Sequence, residues 1–260
     1  MQHDSVKKTI LVAFVLCIFC SVLVAISNVS LKDRQNLNKK LDVQKNLLLI
    51  AGLINEDATK KDIETAFKKI QSKIIDLKSG TTIEMVEQSN FNYKEAQRDS
   101  RYTEKIPTDA DIAGIKIRSK ISKIYAVMEN NKVSSFILPL HGKGLWSTLW
   151  GFISLTPDTK TILGLGFYEH GETPGLGGEV DNPRWKSLWK GKKPFNNEFI
   201  PIIKVIKGSV SKKDKFKDSK VDGLSGASLT SAGVQNLVNF WLGEQGYGPF
   251  LKRVRSGESI

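Results

Sequence analysis

The stretch Asp222–Ser231 has the residue types of a site for a phosphate group. It places two glycines and four hydroxyl side chains just ahead of an apolar run, Val234–Leu242, that has helical spacing. Glycine lets a backbone turn sharply and lets a bulky group approach, and free N–H groups at a helix start favour an anion. The stretch therefore predicts a phosphate seat with the Thr230 hydroxyl at its edge. The alternative is a Ser/Thr cluster that caps the helix.

Two other glycine-bearing stretches could contribute to the same pocket. His141–Thr148 joins two predicted strands, and His170–Gly178 follows a predicted strand. Cofactor pockets are mostly apolar with a few placed polar groups. Together the three stretches predict a site for a flat aromatic ligand with a phosphate tail. The candidate walls are Leu145, Trp146 and Leu176, and the candidate polar edges are Thr148, Glu172 and Thr173.

Two common phosphate-binding motifs do not fit the chain. Gly164 and Gly166 are followed by Glu169 where the dinucleotide fingerprint needs a glycine, and they lie in a predicted hairpin rather than a βαβ unit. The Gly142-Lys143 pair is not followed by serine or threonine and lacks the preceding glycine of a P-loop. We therefore interpret both as chance glycine spacings.

Metal chemistry has little support in the sequence. Beyond the N-terminal segment the imidazoles are His141 and His170, and neither forms a paired-ligand spacing with Glu169 or Glu172. Both histidines stand at predicted strand-to-loop junctions, where we expect them to form hydrogen bonds in turns. The sequence predicts no metal site.

Thiol and hydrolase chemistry are disfavoured as well. Cys17 and Cys20, the only cysteines, both lie inside an apolar run. Their spacing places them on one face of a membrane helix rather than in a redox pair. Ser225 and Ser228 lack the pattern of a nucleophile elbow.

Positive charge predominates in this chain of 260 residues, with a formal net charge of +12. Residues 184–220 alone hold twelve Lys/Arg and three acidic residues, a net +9. Such a patch could bind nucleic acid, but no recognised nucleic-acid motif accompanies it. We expect a solvated surface that meets anionic lipid head groups or an acidic partner.

An apolar run near the N-terminus predicts a membrane anchor. Lys7 and Lys8 precede Ile10–Ile26, which extends to Val29 and is long enough to cross a hydrocarbon core of roughly 30 Å. A signal peptide is the alternative, but the run is long for one and no clean cleavage site follows. The positive-inside rule, counted from the flanking charges, keeps the large domain in the cytoplasm. The cations after the run are Lys32, Arg34, Lys39 and Lys40.

Helices are predicted next. Residues 31–55 indicate a helical stalk, and Asp57–Ile75 indicates an amphipathic helix that Gly80 ends. Thr82–Met85 is typical of a short strand. The apolar stripe of the helix is Ile63, Phe67, Ile70 and Ile74.

Strands dominate from residue 120. Two hairpins are predicted, one turning at Glu129–Lys132 and the other at Pro157–Thr159. A tryptophan-containing helix at Pro183–Trp189, strands near Phe199–Ile206 and a lysine-rich surface loop at 208–220 lead to the closing helix. Helices followed by an antiparallel sheet define an α+β domain. The predicted strands are Ile121–Met128, Val133–Leu140, Gly151–Leu155 and Thr161–Tyr168.

The sequence resembles the C subunit of the bacterial sodium-translocating NADH:quinone reductase over nearly its whole length. The specific marks are the stretch Gly144–Thr148, the loop Glu172–Gly177 with Trp185 and Trp189 behind it, and the stretch Ser225–Thr230. The last matches the flavinylation pattern Asp-x-x-Ser/Thr-Gly-Ala-Ser/Thr-x-Ser/Thr. By position its residues are Asp222, Ser225, Gly226, Ala227, Ser228 and Thr230.

The resemblance implies a flavin site. In that family the final threonine, here Thr230, carries FMN through a phosphoester bond made by a flavin transferase. The protein then relays electrons within a multi-subunit inner-membrane complex that oxidises NADH, reduces quinone and exports Na+. The implied cofactor-binding residues are Leu145, Trp146, Ser147, Thr148, Glu172, Thr173, Gly175, Leu176, Gly177, Lys207, Ser225, Gly226, Ala227, Ser228 and Leu229.

The resemblance also implies the layout of the chain. A short segment, 1–9, precedes a single membrane helix at 10–29. Residues 30–118 form the stalk and first part of the soluble domain, and residues 119–260 form the FMN-binding domain. The flavin domain is expected in the periplasm, against the charge count. Two alternatives are the flavin subunit of the related ferredoxin:NAD+ oxidoreductase complex and a membrane-anchored binding module without a redox role.

Overall fold

The computed structural model describes residues 5–84 and 91–258, and its first element is one continuous helix, α1 (Val6–Ile50). The chain divides into two compact units, Met1–Val43 and Gln44–Ile260. Within the described residues, α1 alone is long and apolar enough to cross a membrane, a test that a signal sequence near the N-terminus also passes. The predicted anchor and stalk therefore form a single helix, which ends at Ile50 rather than at residue 55.

The second unit continues with short helices and with strands on both sides of a glycine-rich region. Its elements are α2 (Lys60–Phe67), β1 (Ile70–Asp76), β2 (Thr82–Ile83), α3 (Tyr93–Ala96), β3 (Thr103–Lys105), β4 (Ile117–Ser119), β5 (Ile121–Glu129), β6 (Lys132–Lys143), β7 (Thr148–Leu155), β8 (Ile162–Glu169), α4 (Pro183–Ser187), β9 (Lys204–Ile206), β10 (Lys220–Asp222), α5 (Ser228–Leu242) and α6 (Gly248–Arg255).

The strands form one main antiparallel sheet. Its order is β2-β1-β5-β6-β7-β8, so each neighbouring pair from β5 to β8 is a hairpin. Two small sheets lie outside it: β3 pairs with β4 antiparallel, and β9 pairs with β10 in parallel. The predicted α+β class with a mainly antiparallel sheet is confirmed.

The first predicted hairpin has the two-residue turn that its asparagines favour. Glu129 pairs with Lys132, and Asn130 and Asn131 between them have φ angles of 50° and 61°. Positive φ at both central residues is typical of a type I′ turn, which matches the twist of the flanking strands. The second hairpin turns between Leu155 and Ile162, as predicted.

The predicted helix Asp57–Ile75 is wrong in its second half. Thr59 caps α2, which ends at Phe67, and Ile70–Asp76 forms β1 instead. All of β1 pairs with β5, from Ile70 opposite Val127 to Asp76 opposite Ile121. Two isoleucines of the apolar stripe therefore have helical spacing but lie in a strand, because β-branched residues pack well on a sheet.

Several boundaries in the C-terminal part also differ from the predictions. Strand structure near 199–206 is limited to β9 and an isolated antiparallel bridge between Pro201 and Phe195. The lysine-rich segment 208–220 ends in a 3-10 helix at Lys217–Ser219 and the start of β10. Helix α5 begins at Ser228 rather than Val234, so the last predicted site residues lie in its first turn. Helix α6 was not predicted. The predicted strand Thr82–Met85 forms at Thr82 and Ile83, and Met85 lies outside the described residues.

Close packing of α5 against the end of β6 fixes the position of its first turn. A Cβ on Gly142 would lie 2.5 Å from the Leu237 side chain, and one on Gly233 would lie 2.5 Å from the Lys143 carbonyl oxygen. Glycine at both positions therefore lets the helix approach the strand. Further along α5, the Trp241 indole donates to the His141 carbonyl oxygen at 2.6 Å.

Candidate functional site

The carboxylate of Glu172 joins the three glycine-bearing stretches at one point. The Thr230 hydroxyl, in the first turn of α5, donates to Glu172 Oε2 at 2.6 Å. Residues of the β6–β7 turn donate to the same carboxylate from the other side. Thr230 is fully buried, and Glu172 is 5 % exposed. The structure thus brings together the three stretches that were predicted to surround one pocket.

Three successive backbone amides of the β6–β7 turn hold Glu172. Leu145 N–H donates to Oε2 at 3.2 Å, while Trp146 and Ser147 N–H donate to Oε1 at 3.0 and 3.2 Å. The turn itself is closed by Gly144 N–H, which donates to the Ser147 carbonyl oxygen. Consecutive amides that converge in this way form a concave anion seat.

These hydrogen bonds keep Glu172 ionised although it is buried. Burial raises the pKa of Glu172, but the bonds from Thr230, Trp146, Leu145 and Ser147 outweigh it and hold the pKa below its ordinary value. Backbone amides and a hydroxyl therefore stabilise this charge where it lies.

Two glycines make room for the Glu172–Thr230 pair. A Cβ on Gly177 would lie 2.6 Å from Thr230 Oγ1 and 2.7 Å from Glu172 Oε2, and a Cβ on Gly144 would lie 2.6 Å from Glu172 Oε1. Any other residue at either position would have to displace the pair, since real Cβ contacts are not this short. Gly144 and Gly177, from two different stretches of the sequence, therefore both leave space for the Glu172–Thr230 hydrogen bond.

The hydroxyls of the third stretch do not cap α5 in the way that the alternative hypothesis supposes. Ala227 occupies the N-cap position, and its side chain makes no capping hydrogen bond. Ser231 Oγ instead accepts from the Leu224 N–H at 3.0 Å and closes the turn that precedes the helix. Gly226 has a φ of +69°, which glycine adopts without strain.

His170 orients the backbone at Glu172. The Glu172 N–H donates to His170 Nδ1 at 3.2 Å, so the ring hydrogen lies on Nε2 and donates to Asp181 at 2.8 Å. Ser147 Oγ accepts from the Gly171 N–H at 2.6 Å, which ties the β6–β7 turn to the same loop. His170 thus acts as the turn hydrogen-bonder that the sequence predicts.

The prediction for His141 was wrong, because this residue lies inside β6 and not in a turn. Its Nδ1 meets the Tyr93 hydroxyl at 2.9 Å, and its ring stacks on Trp150 at 4.4 Å between centroids. Burial lowers the pKa of His141 to about 3, so the ring is neutral. In the described residues no group of three or more His, Cys, Asp or Glu could hold a metal ion.

Apolar side chains around the buried pair are exposed. Trp146 is 72 % exposed and Leu229 62 %, and Leu145 and Leu176 are also exposed. The loop that contains Leu176 meets the loop before α5 at Gly226, where a Cβ would lie 2.9 Å from the Leu176 side chain. The exposed apolar side chains thus belong to the same two loops and helix turn that hold the Glu172–Thr230 pair. The remaining predicted contacts that are exposed are Thr148, Thr173, Gly175, Ser225, Gly226 and Ser228, while Ala227 and Gly177 are buried and Ser147 is half-buried.

Two predicted site residues lie beside the site rather than at its centre. Asp222 Oδ1 accepts from the Val210 N–H at 2.8 Å, and the Asp222 carbonyl oxygen accepts from the Trp185 indole at 2.8 Å. Asp222 therefore positions the start of the motif. Lys207 is exposed directly after β9, where its backbone lies next to Gly223.

The structural roles of three contributors to this site were not predicted from the sequence. These contributors are Ser231, Asp181 and the space that Gly144 leaves for Glu172, and the last two depend on contacts between separate segments. The Asp181 contact bridges eleven residues and has no local pattern that would indicate it. Ser231 follows Thr230 directly, and its hydroxyl type was the available signal.

Known proteins similar to this chain agree with the geometry. An FMN-binding domain family matches residues 144–243, which include the Gly144–Ser147 turn, Glu172 and Thr230. The C subunit of the Na(+)-translocating NADH-quinone reductase of Pseudomonas aeruginosa is 44 % identical over 99 % of both chains. The same subunit of Yersinia pestis is 43 % identical over 98 % of this chain and 96 % of its own.

Solved structures extend this similarity to the fold. The crystal structure of Shewanella oneidensis NqrC has a TM-score of 0.77 and 32 % identity, and the match covers 85 % of this chain and 99 % of that one. The structure of the C subunit from Parabacteroides distasonis has a TM-score of 0.60 and 27 % identity, covering 84 % and 96 %. The chain, with its FMN-binding domain and its full-length relatives, belongs to the C-subunit family of the Na+-translocating NADH-quinone reductases.

Proposed function

We propose that this chain carries FMN through a phosphoester bond to Thr230 and relays electrons within an inner-membrane Na+-translocating NADH-quinone reductase. The observation that carries the proposal is the convergence of three loops on the Glu172 carboxylate, to which the Thr230 hydroxyl donates, within the region that matches an FMN-binding domain. The full-length relatives favour this complex over the related ferredoxin:NAD+ oxidoreductase.

The residues present fit FMN. A hydroxyl at the first turn of α5 supplies an attachment point close to the positive end of the helix dipole. The exposed Leu145, Trp146, Leu176 and Leu229 offer apolar surface that a flat ring would cover. When bound, FMN supplies the ability to accept and pass on single electrons, while the protein holds it and adjusts its electronics.

We assign the following residues to the site under this proposal. Thr230 is the attachment residue, and Asp222 with Ser225–Ser228 completes the flavinylation motif. The further cofactor contacts are Leu145, Trp146, Ser147, Thr148, Glu172, Thr173, Gly175, Leu176, Gly177, Lys207 and Leu229. Residues 119–260 form the FMN-binding domain, and residues 30–118 form the stalk and the first part of the soluble domain.

The proposal includes the surroundings of the chain. Residues 10–29 of α1 lie in lipid, the flavin domain faces the periplasm, and a flavin transferase modifies Thr230 during maturation. The partners are the other subunits of the reductase, and nucleic acid is not among them. Because the chain relays electrons, we expect NADH and quinone to bind to other subunits.

Intact mass tests the attachment. We expect the full chain, produced together with a flavin transferase, to gain the mass of one FMN less water. Thr230→Ala should gain nothing because it lacks the attacking oxygen. Ser209→Ala is the control, because it removes an exposed hydroxyl outside the motif and should still gain the full mass.

A denaturing gel viewed under ultraviolet light gives a second readout of the same variants. A fluorescent band that persists in Thr230→Ala would contradict the attachment site. A colourless, unmodified wild-type chain from a host that has the transferase would instead support a membrane-anchored binding module without a redox role.

A further inference from the structure

Glu172 is a buried carboxylate in direct contact with the oxygen that the proposed modification uses. Thr230 Oγ1 and Glu172 Oε2 are 2.6 Å apart, and the hydroxyl donates to the carboxylate. A carboxylate at this distance is within the reach expected of a general base. Its exposure is 5 %, so the contact is largely shielded from solvent.

The neighbours of Glu172 fix its position without neutralising its charge. Three amides of the β6–β7 turn and the backbone bond to His170 hold it from different directions. The pKa of Glu172 stays below its ordinary value because these bonds and that of Thr230 outweigh burial. The carboxylate is therefore ionised and able to accept a proton when Thr230 loses one.

We propose that Glu172 is the catalytic residue of this chain in its own flavinylation, orienting the Thr230 hydroxyl and accepting its proton. This inference rests on the proposed function. It assigns to the substrate protein, rather than to the transferase, the group that receives the proton. In this assignment Glu172 is more than a contact of the bound flavin.

The step balances when the flavin donor carries its phosphate as an anhydride, as in a flavin dinucleotide. Thr230 Oγ attacks the phosphorus next to the riboflavin part, and an Oγ–P bond forms. The bond from that phosphorus to the bridging oxygen breaks, and the second nucleotide leaves with the electron pair. The hydroxyl proton passes to Glu172 Oε2, and no electron is gained or lost.

The segment Thr173–Gly177 lies next to the Thr230 hydroxyl. Gly177 lies directly against the Thr230 hydroxyl, and the segment is otherwise exposed. Backbone hydrogen bonds of the segment run within itself or to the residues that follow, from Leu176 and Gly178 to Thr173 and from Glu179 to Leu176. Glu172 is held separately, by the amides of the β6–β7 turn.

Single-turnover modification of the full chain tests this role. Purified chain, transferase and saturating flavin adenine dinucleotide are mixed, and the flavin mass is followed with time. Glu172→Gln keeps the size of the side chain and an oxygen for the amides but cannot take the proton. We expect its rate to fall by about 100-fold or more, within the range for loss of a general base.

Matched variants separate chemistry from structure. Glu179→Gln, which alters a carboxylate bonded to Asn182 a few residues away, should react at the wild-type rate. Glu172→Ala should be slow, and added formate should restore its rate in proportion to concentration by supplying a carboxylate to the vacated space. Urea unfolding of each variant measures whether the fold is retained.

The outcomes are distinct. A wild-type rate in Glu172→Gln overturns the proposal and assigns the base to the transferase, and so does a folded Glu172→Ala that formate does not rescue. Both results count against Glu172 alone if the wild type gains flavin and Thr230→Ala does not, because attachment at Thr230 is then established. If the wild type gains no flavin, the proposed function and this inference fall together.

Discussion

Thr230 and Glu172 show how far single residues could be predicted. Their types and the glycines beside them indicated a phosphate-bearing site, and the resemblance indicated Thr230. The hydrogen bond between them joins residues 58 positions apart, and no local pattern encodes it. The space for it depends on Gly144 and Gly177, whose glycine identity follows from contacts that only the folded chain makes.

His141 makes stability depend on pH. Burial lowers its pKa from 6.5 to about 3, so between these values the unfolded chain binds a proton that the folded chain does not. Stability from this residue is complete above the ordinary pKa and is lost as the pH falls towards the lowered one. The loss has a slope of up to about 1.4 kcal/mol per pH unit.

Urea unfolding between about pH 7.5 and pH 5 measures this slope. We expect His141→Gln to have a smaller loss of unfolding free energy on acidification than the wild type, whatever its stability at neutral pH. Tyr93→Phe is the control, since it removes the hydroxyl that contacts His141 and leaves the imidazole ring in place. An unchanged slope in His141→Gln would refute the assignment.

At the scale of elements, local sequence patterns predicted the two hairpins correctly. They failed for β1, whose secondary structure is decided by its pairing with a distant strand. The two asparagines at 130 and 131 encode their turn directly, because they tolerate positive φ. Ile70 and Ile74 satisfy helical and strand spacing alike, and the full-length pairing of β1 with β5 selects the strand. Such pairing is a property of distant residues and cannot be deduced from one segment.

The last turn of α1 belongs to the fold of the second unit, and this gives a stability prediction. Leu48 is fully buried in a cluster with Ile63 and Ala66. In the fragment Gln44–Ile260 we expect Leu48→Ala to lower the unfolding free energy by about 2–5 kcal/mol, because it leaves a cavity. Urea unfolding provides the measurement.

Leu49→Ala is the matched control, because Leu49 neighbours Leu48 but is half-buried. Its effect should be clearly smaller. Equal effects of the two substitutions would mean that the helix end does not pack as described.

At the scale of the whole molecule, the flanking charges and the family imply opposite sides of the membrane. The cations after the apolar run favour a cytoplasmic domain, yet long domains can be translocated regardless of nearby charge. The proposed periplasmic location therefore has to be tested by measuring directly on which side of the membrane the domain lies.

Labelling of a single introduced cysteine would decide the orientation. We expect Lys212→Cys, at an exposed position, to react with a membrane-impermeant maleimide in intact spheroplasts when Cys17 and Cys20 are replaced by serine. The cysteine-replaced chain without Lys212→Cys is the background control. Labelling that appears only after the spheroplasts are lysed would place the domain in the cytoplasm.

The exposed indole of Trp146 has an optical consequence. All five tryptophans lie in the described residues, and Trp150, Trp185, Trp189 and Trp241 are at most 9 % exposed, whereas Trp146 is 72 % exposed. A water-exposed indole emits at longer wavelength than buried ones, and a flavin absorbs in that region. Quenching of the long-wavelength emission would therefore report the occupancy of the site.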